Sequence, residues 1–385
     1  MIKAFSAATR EIDDSAAAVA EIMAGLGVPG NLLKHSLGII SCFSEFDDTE
    51  VLKEICNALP FDCIGVTSIM SAAAAEIDQI VFAVTVLTSD DCFFKTKHIP
   101  VTENYKNEIA PAAAALLAEE TEAPKLILGF FPLINTVGGD LILDEVSKAA
   151  AGVPIFGTVA IDHTMDYSTS KTIQNGETYR EGVVLGALYG DVKFAFEMAS
   201  LDEEKVRRQK AVITGAQGNI LTEVNGKPVL EYFEEIGLEK KTLELGLAIT
   251  PLVIQPPDTV NSIARAVYGL TPGGDAVCGG SMPVGASVAI GRMDKGDVLV
   301  TTEKVLAPFA LSEQGGVVLC FSCMSRYLAL GDNSEAETVS VLCKNADDKP
   351  YLFTCSAGEI CPLPGEDGKL INYFHNFSVV LCWIG

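Results

Sequence analysis

Strand-like and helix-like segments alternate along the first half of this chain, and this alternation constrains the fold more than any other feature. The runs "SLGIISCF", "KLILGFFP" and "VPIFGTVA" are short and apolar, as buried strands are. Between them lie "DDTEVLKEICNAL" and "GDLILDEVSKAAAG", which have helical periodicity. Repeated strand–helix units of this kind predict an α/β fold with a mainly parallel sheet.

The composition of the sequence changes after about residue 210. Glycine and proline interrupt the later segments, as in "TPLVIQPPD" and "TPGGDAVCGGSMPVG". A chain of 385 residues also exceeds the usual size of a single core. We therefore predict an α/β fold class, with a sandwich-like α/β module of mixed sheet over residues 1–200 and an α+β module over residues 210–385. No repeat of solenoid length is visible.

Charge and cysteine content narrow the function classes. The formal net charge is −24, and so acidic a surface repels phosphate backbones and anionic lipids. We therefore expect no nucleic-acid binding. No stretch approaches the ~20 apolar residues that span a bilayer, and the N-terminus has no signal-peptide pattern, so we expect no membrane insertion and a cytoplasmic protein. The cysteines number eleven, and an odd count in such a protein argues against a disulfide framework.

Polar residues lie at the ends of the last predicted strands. Arg326 follows the run "GGVVLCFSC", and Glu359 lies in the loop after "KPYLFTCSAG". His375 and Asn376 precede "FSVVLCWI". Loops at strand ends are where α/β folds build binding sites. These four residues form either a ligand pocket or a satisfied polar cluster, and the sequence leaves both alternatives open.

The alternation of side chains along a strand sharpens this prediction. His375 and Asn376 would face opposite sides of a regular strand, so they share one site only if the last strand begins after them. We therefore predict that it begins at Phe377. We also predict that Arg326 pairs with Glu359, because a buried charge is costly without a partner.

The "CFSC" motif, Cys320 to Cys323, has C-x-x-C spacing but ends a strand-like run, whereas the redox motif opens a helix. No second pair completes a zinc site, so no metal site is predicted. The residue types also allow an enzyme with Cys323 or Cys355 as nucleophile and His375 as base.

Three ordered segments, "FSCMSR", "FTCSAGEI" and "YFHNFSVVL", closely resemble the C-terminal module of FIST proteins (F-box and intracellular signal transduction). The stretch "GNILTEVNGKPVLEYFEEIG" is similar to the junction of that family, and "VPIFGTVAIDH" and "GVVLGALYG" are similar to its N-terminal module. The resemblance covers nearly the whole chain. One departure is Ala75, which stands where the family has a glycine before the position of Glu76.

The resemblance implies a stand-alone cytoplasmic sensory module that binds a small-molecule ligand, such as an amino acid, and signals through a partner protein. A homodimer is a further option. The ligand-binding residues predicted are Arg326, Glu359, His375, Asn376, Cys323, Thr67, Ser68 and Asp162. No cofactor is expected; the alternative is a haem-based gas sensor with His163 or His375 as the axial ligand, since some relatives are haem proteins.

Overall fold

The structure is a computed structural model of the chain. It describes residues 1–74, 76–164, 167–207, 210–238, 246, 248–257, 261–310, 315–344, 349–365 and 367–385, with backbone alone at 310 and 342–344. Ala75, the departure noted in the sequence, lies outside the described residues. Mixed sheets flanked by helices confirm the predicted α/β fold class, but the prediction of a mainly parallel sheet is wrong: among the described strands, only β2–β3, β8–β9 and β22–β23 are parallel pairs, and the others are antiparallel.

The strands fall into three groups and one inserted group. The first group is β1 (Lys3–Thr9), β2 (His35–Cys42), β3 (Asp62–Thr67), β4 (Ser71–Ala73), β5 (Glu76–Asp78) and β6 (Phe82–Ser89). The second is β7 (Phe93–Pro100), β8 (Leu126–Phe131), β9 (Ile155–Val159), β10 (Thr172–Gln174), β11 (Glu177–Tyr179) and β12 (Gly182–Tyr189). The third opens with β13 (Phe194–Ala199).

The inserted group follows β13 and precedes the rest of the third group. The inserted strands are β14 (Ala211–Gln217), β15 (Ile220–Val224), β16 (Lys227–Pro228), β17 (Leu252–Gln255), β18 (Ile263–Arg265), β19 (Val267–Leu270), β20 (Ala276–Cys278) and β21 (Ser287–Ile290). The third group then resumes with β22 (Val317–Cys323), β23 (Tyr351–Ser356), β24 (Glu359–Pro364), β25 (Leu370–His375) and β26 (Val379–Ile384).

Helices connect the strands within each group. They are α1 (Ser15–Leu26), α2 (Glu45–Asp48), α3 (Val51–Ala58), α4 (Tyr105–Leu117), α5 (Gly139–Ala150), α6 (Val229–Glu235), α7 (Lys295–Ala310), α8 (Met324–Leu330) and α9 (Ala336–Lys344). The described residues contain no helix that is long and apolar enough to cross a membrane.

The three groups are structural repeats, which we call repeat 1, repeat 2 and repeat 3. Their sheets follow one order: β1-β6-β2-β3, β7-β12-β8-β9 and β13-β26-β22-β23. In each repeat the second and third strands are parallel, and the last strand is antiparallel to the first and the second. The same chain path is therefore used three times.

Each sheet is completed by a hairpin from another repeat. The hairpin β10–β11 of repeat 2 pairs with β3, β24–β25 of repeat 3 pairs with β9, and β4–β5 of repeat 1 pairs with β23. This exchange closes a cycle, so each repeat receives two strands from one of the other repeats and gives two strands to the remaining one. The modules 1–200 and 210–385 stay a prediction about sequence units; strand pairing crosses their boundary at β4–β23 and β9–β24.

The inserted strands form a separate sheet between β13 and α7, in the order β18-β17-β21-β14-β15-β20-β19, with β16 paired to β15. Helix α6 packs on this sheet through Val229 and Phe233, beside Leu221 and Val288. The cluster of glycines and prolines in this region of the sequence follows from its short strands and frequent turns. Among the described residues, only repeat 3 carries such an insertion.

Candidate functional site

Repeat 3 has a polar corner where β22 ends, where β23 turns into β24 and where β25 turns into β26. Cys323 ends β22, Glu359 begins β24 and His375 ends β25. Across the strand pairs, Glu359 lies opposite His375 on β25 and opposite Thr158 on β9. We call this place the repeat 3 corner. It brings together residues that the sequence predicted to share one site.

The carboxyl group of Glu359 is completely buried at this corner. Its two oxygens accept hydrogen bonds from Ser356 Oγ at 3.0 Å and from Ser378 Oγ at 2.6 Å. Burial raises the pKa of Glu359 to about 8, although the two serine hydroxyls and the charge of Arg326 oppose that rise. The side chain is therefore mostly neutral at pH 7.

Arg326 is buried nearby, but its ion partner is Glu337 rather than Glu359, and the predicted pairing is wrong. Arg326 Nη2 lies 2.7 Å from Glu337 Oε1 and also donates to Thr302 Oγ1 and the Val298 carbonyl. The reason is that α8 begins at Met324, directly after β22, and directs Arg326 towards α7 and α9. The sequence did not indicate Glu337 as the partner of Arg326, because Glu337 lies within an ordinary amphipathic helix.

Asn376 forms a three-way contact with the inserted sheet. Its Nδ2 donates to the carbonyl of Ala357 at 3.2 Å and to Tyr268 Oη at 3.4 Å. Tyr268 Oη donates to the same carbonyl at 2.5 Å. Tyr268 lies on β19, so this contact ties the inserted sheet to the repeat 3 corner. The sequence did not single out Tyr268, since an aromatic residue in a strand is typical of a core.

His375 is 6% exposed, and its Nε2 lies 3.2 Å from the carbonyl of Cys361. Burial lowers the pKa of His375 to about 4, so the ring is neutral. The last strand begins after both residues, as predicted, but at Val379 rather than at Phe377, and His375 ends the preceding strand β25 instead of lying in a loop. Phe377 has a φ of 56°, which turns the chain and separates the two strands.

Thr67 lies where repeat 1 meets repeat 2, Ser68 lies where repeat 1 meets repeat 3, and Asp162 follows β9 in repeat 2. The Thr67 carbonyl accepts from Ile161 N, and Ser68 Oγ donates to the carbonyl of Cys355 at 2.7 Å. Asp162 is buried, and its carboxyl group accepts from the backbone nitrogens of residues 164 and 169. The Ser68 hydroxyl group thus links repeat 1 to repeat 3, whereas the bonds of Asp162 lie within repeat 2. The role of the three residues in ligand binding stays a prediction.

A groove of about 630 Å³ lies between the inserted sheet and the β24–β25 hairpin, and we call it the groove. His375 and Asn376 line it from the repeat 3 side. The residues that face them include Arg207, Lys210, Gln255, Asn261 and Ser262. Its volume lies within the range of small-molecule sites.

A much smaller inner cavity of about 20 Å³ lies behind the groove. Cys323, Tyr167, Tyr268 and Ala357 line it, together with apolar side chains. Because Asn376 lines the groove and contacts Tyr268, this pair separates the two spaces. The inner cavity holds about one water molecule, so of these two spaces only the groove has room for a metabolite.

Two family models match this chain: the FIST N domain over residues 36–227 and the FIST C domain over residues 229–362. The chain belongs to the FIST family. FIST domains are sensory domains of signal transduction. The resemblance drawn from "FSCMSR" and "FTCSAGEI" is confirmed by these matches.

Two solved structures are similar to this FIST chain over its whole length. A cyanuric acid hydrolase from A. caulinodans is 8% identical, with a TM-score of 0.39, and the match covers 100% of this chain and 98% of the hydrolase. A second cyanuric acid hydrolase is 9% identical, with a TM-score of 0.34 and coverage of 100% and 99%. The comparison with curated proteins found no match.

This FIST chain does not bring together the cysteine nucleophile and the histidine base that the enzyme hypothesis requires. Cys323 and Cys355 are buried, and burial raises the pKa of both thiols well above its ordinary value. A nucleophilic cysteine needs the opposite shift. Among the described residues, no hydrogen bond joins His375 to either thiol, because its Nε2 contacts the Cys361 carbonyl.

The contact of His375 with the Cys361 carbonyl also limits whether His375 can ligate haem. His375 would have to leave the Cys361 carbonyl before its Nε2 could reach an iron atom, so its setting does not favour axial ligation. His163 is exposed and stacks on Phe43 with ring centroids 4.7 Å apart. The ten described cysteines are buried and free.

Proposed function

We propose that this FIST protein is a cytoplasmic sensory module that binds a small polar ligand in the groove and signals through a partner protein. The observation that carries the proposal is the groove itself. It has metabolite size, it lies between the inserted sheet and the β24–β25 hairpin of another sheet, and it is lined by His375 and Asn376. Sites between structural units are common places for small ligands.

The side chains around the groove favour a ligand with both polar and charged groups. Arg207 and Lys210 bring positive charge to a chain of net charge −24, and Glu203 adds one carboxylate. Amide and hydroxyl groups from Gln255, Ser262 and Tyr373 supply neutral donors and acceptors. A zwitterion such as an amino acid matches this mixture, because each of its charges has an opposite charge available.

The position of the groove also supports a sensory role. One wall belongs to the inserted sheet, and the other belongs to the repeat 3 corner. A ligand that touches both walls stabilises one arrangement of the two units over others. A partner protein that contacts either unit could then read the change.

A thermal-shift screen tests this proposal. Purified protein is scanned against amino acids, organic acids and amines, and a true ligand at about 100 times its Kd adds about 2.7 kcal/mol to stability. Ser262 is exposed on the groove wall, so the variant Ser262→Trp should block the groove. Asn333→Trp, at an exposed position outside the groove, is the matched control.

We expect at least one compound to raise the Tm of the wild type and of Asn333→Trp, and to leave Ser262→Trp unchanged. Two results would contradict the proposal. One is a screen in which no compound shifts the wild type. The other is a compound that stabilises Ser262→Trp as much as the wild type, since that ligand would bind elsewhere.

A further inference from the structure

The contact between Tyr268 and Asn376 is the link between the inserted sheet and the repeat 3 corner. Both side chains hold the Ala357 carbonyl, Tyr268 at 2.5 Å and Asn376 at 3.2 Å. Asn376 is 1% exposed, and its Oδ1 also accepts from the backbone nitrogen of Ala266 on the inserted sheet at 3.3 Å. One amide side chain therefore connects two structural units by three polar contacts.

A glycine on the inserted sheet leaves the space in which these side chains meet. A Cβ atom added at Gly279 would lie 2.5 Å from Asn376 Oδ1 and 2.7 Å from Tyr268 Oη. The backbone of Gly279 has no positive φ, so alanine fits the local conformation and only the side chains oppose it. This close approach explains why the first glycine of the "CGGSM" stretch is a glycine. A plain turn would not require glycine at this position.

The contact also closes the inner cavity. Tyr268 and Cys323 line that cavity together, and Cys323 is 1% exposed behind the tyrosine ring. Asn376 lies on the groove side of the same contact. Separation of the two side chains would open the inner cavity to the groove and would give access to the Cys323 thiol, which lines that cavity.

We propose that Tyr268 and Asn376 form a clasp that ties the inserted sheet to the repeat 3 corner, and that a ligand taking the Asn376 amide from the groove releases it. The released sheet is then the element that a partner protein detects. This inference rests on the proposed function for its biological use, because the groove must bind a ligand. The clasp itself can be tested without any ligand.

The test measures how fast N-ethylmaleimide labels Cys323, with the label assigned to that residue by peptide mass spectrometry. Gly279→Ala forces the clasp apart while deleting neither side chain, and Tyr268→Phe removes only the hydroxyl group. Gly269→Ala is the matched control, since a Cβ atom at Gly269 on neighbouring β19 meets nothing within 4 Å. Circular dichroism establishes that each variant is folded.

We expect labelling of Cys323 to be at least about tenfold faster than in the wild type in either clasp variant, and unchanged in Gly269→Ala. If Gly279→Ala does not fold, Tyr268→Phe carries the test. Wild-type labelling rates in the folded clasp variants would overturn the inference, as would an equal increase in Gly269→Ala. If the thermal-shift screen finds no ligand, the proposed function is refuted, but the labelling rates of Cys323 are unaffected. The two failures can therefore be told apart.

Discussion

The corners of repeat 1 and repeat 3 share a backbone and differ in chemistry. In repeat 1, Ser71 begins β4 opposite Thr354, and its hydroxyl group bonds Ser41 Oγ at 2.6 Å inside the core. In repeat 3, Glu359 begins β24 at the equivalent position, opposite Thr158. The same threefold framework thus holds a neutral hydroxyl pair at one corner and an ionisable carboxyl group at the other.

Repeat 2 follows repeat 1 rather than repeat 3. Thr172 occupies the equivalent position at the start of β10, opposite Val66, and its hydroxyl group donates to the Gly182 carbonyl at 2.8 Å. The inserted sheet also belongs to repeat 3 alone. Two of the three repeats thus hold a small hydroxyl group at this position, and the carboxyl group of Glu359 distinguishes the corner of repeat 3.

The largest expected effect comes from breaking the buried ion pair of repeat 3. Arg326→Ala leaves Glu337 buried at 2% exposure without its partner, and such a loss costs about 3–5 kcal/mol of unfolding free energy. Arg10→Ala in repeat 1 removes only exposed contacts with Glu76 and Asp78, which are worth about 0–1 kcal/mol. Urea denaturation of both variants measures the contrast. Equal losses would show that burial does not separate the two pairs.

A smaller effect comes from the proton on Glu359. Its folded pKa of about 8 lies above the ordinary value of 4.5, so the folded protein keeps a proton that the unfolded chain releases. Stability therefore falls as pH rises from about 4.5 to about 8. Glu359→Gln should remove this loss and stabilise the protein at pH 9 by an amount on the order of 3 kcal/mol.

The control for this prediction is Ser71→Ala, which alters the equivalent corner of repeat 1 and removes no ionisable group. Denaturation curves between pH 5 and pH 9 should have the same pH dependence in Ser71→Ala as in the wild type. A Glu359→Gln variant that still loses stability between those values would assign the proton to another group.

The smallest of these effects lies on the acid side. The folded pKa of His375, about 4, is below the ordinary value of 6.5, so the unfolded chain takes up a proton first as pH falls. Stability that is present above pH 6.5 is lost towards pH 4, by an amount on the order of 2 kcal/mol. His375→Gln should lack this loss in urea denaturation, and His163→Gln, at an exposed position, should keep it. If His163→Gln removed the loss of stability and His375→Gln kept it, the assignment of this loss to His375 would be contradicted.

Local structure was predictable from the sequence where a local physical cause existed. Aspartate is a typical N-cap, and Asp14 accepts a hydrogen bond from Ala17 N at 3.0 Å at the start of α1. Glycine is typical just past the end of a helix, and Gly27, which follows α1, has a φ of 63°. The strand β22 likewise follows from the apolar run "VVLCFSC".

The exchange of hairpins had no local cause and was not predictable. The strands β4 and β10 have three residues each, and their partners are set by the closure of the cycle rather than by their own composition. The candidate site was predicted only in part, and the reason is the same. Glu359 and Asn376 lie in motifs that stand out, whereas Glu337 and Tyr268 become partners only when distant segments meet.

Methyl NMR of methionine-labelled protein tests most directly the claim that repeat 3, and not repeat 1, binds the ligand. Met198 lies on β13 and lines the groove, whereas Met23 lies on α1 in repeat 1. Met198→Leu and Met23→Leu assign the two signals. On addition of the compound found in the thermal screen, the Met198 methyl signal should shift and the Met23 signal should stay. A Met198 signal that does not move while the compound binds would contradict the account.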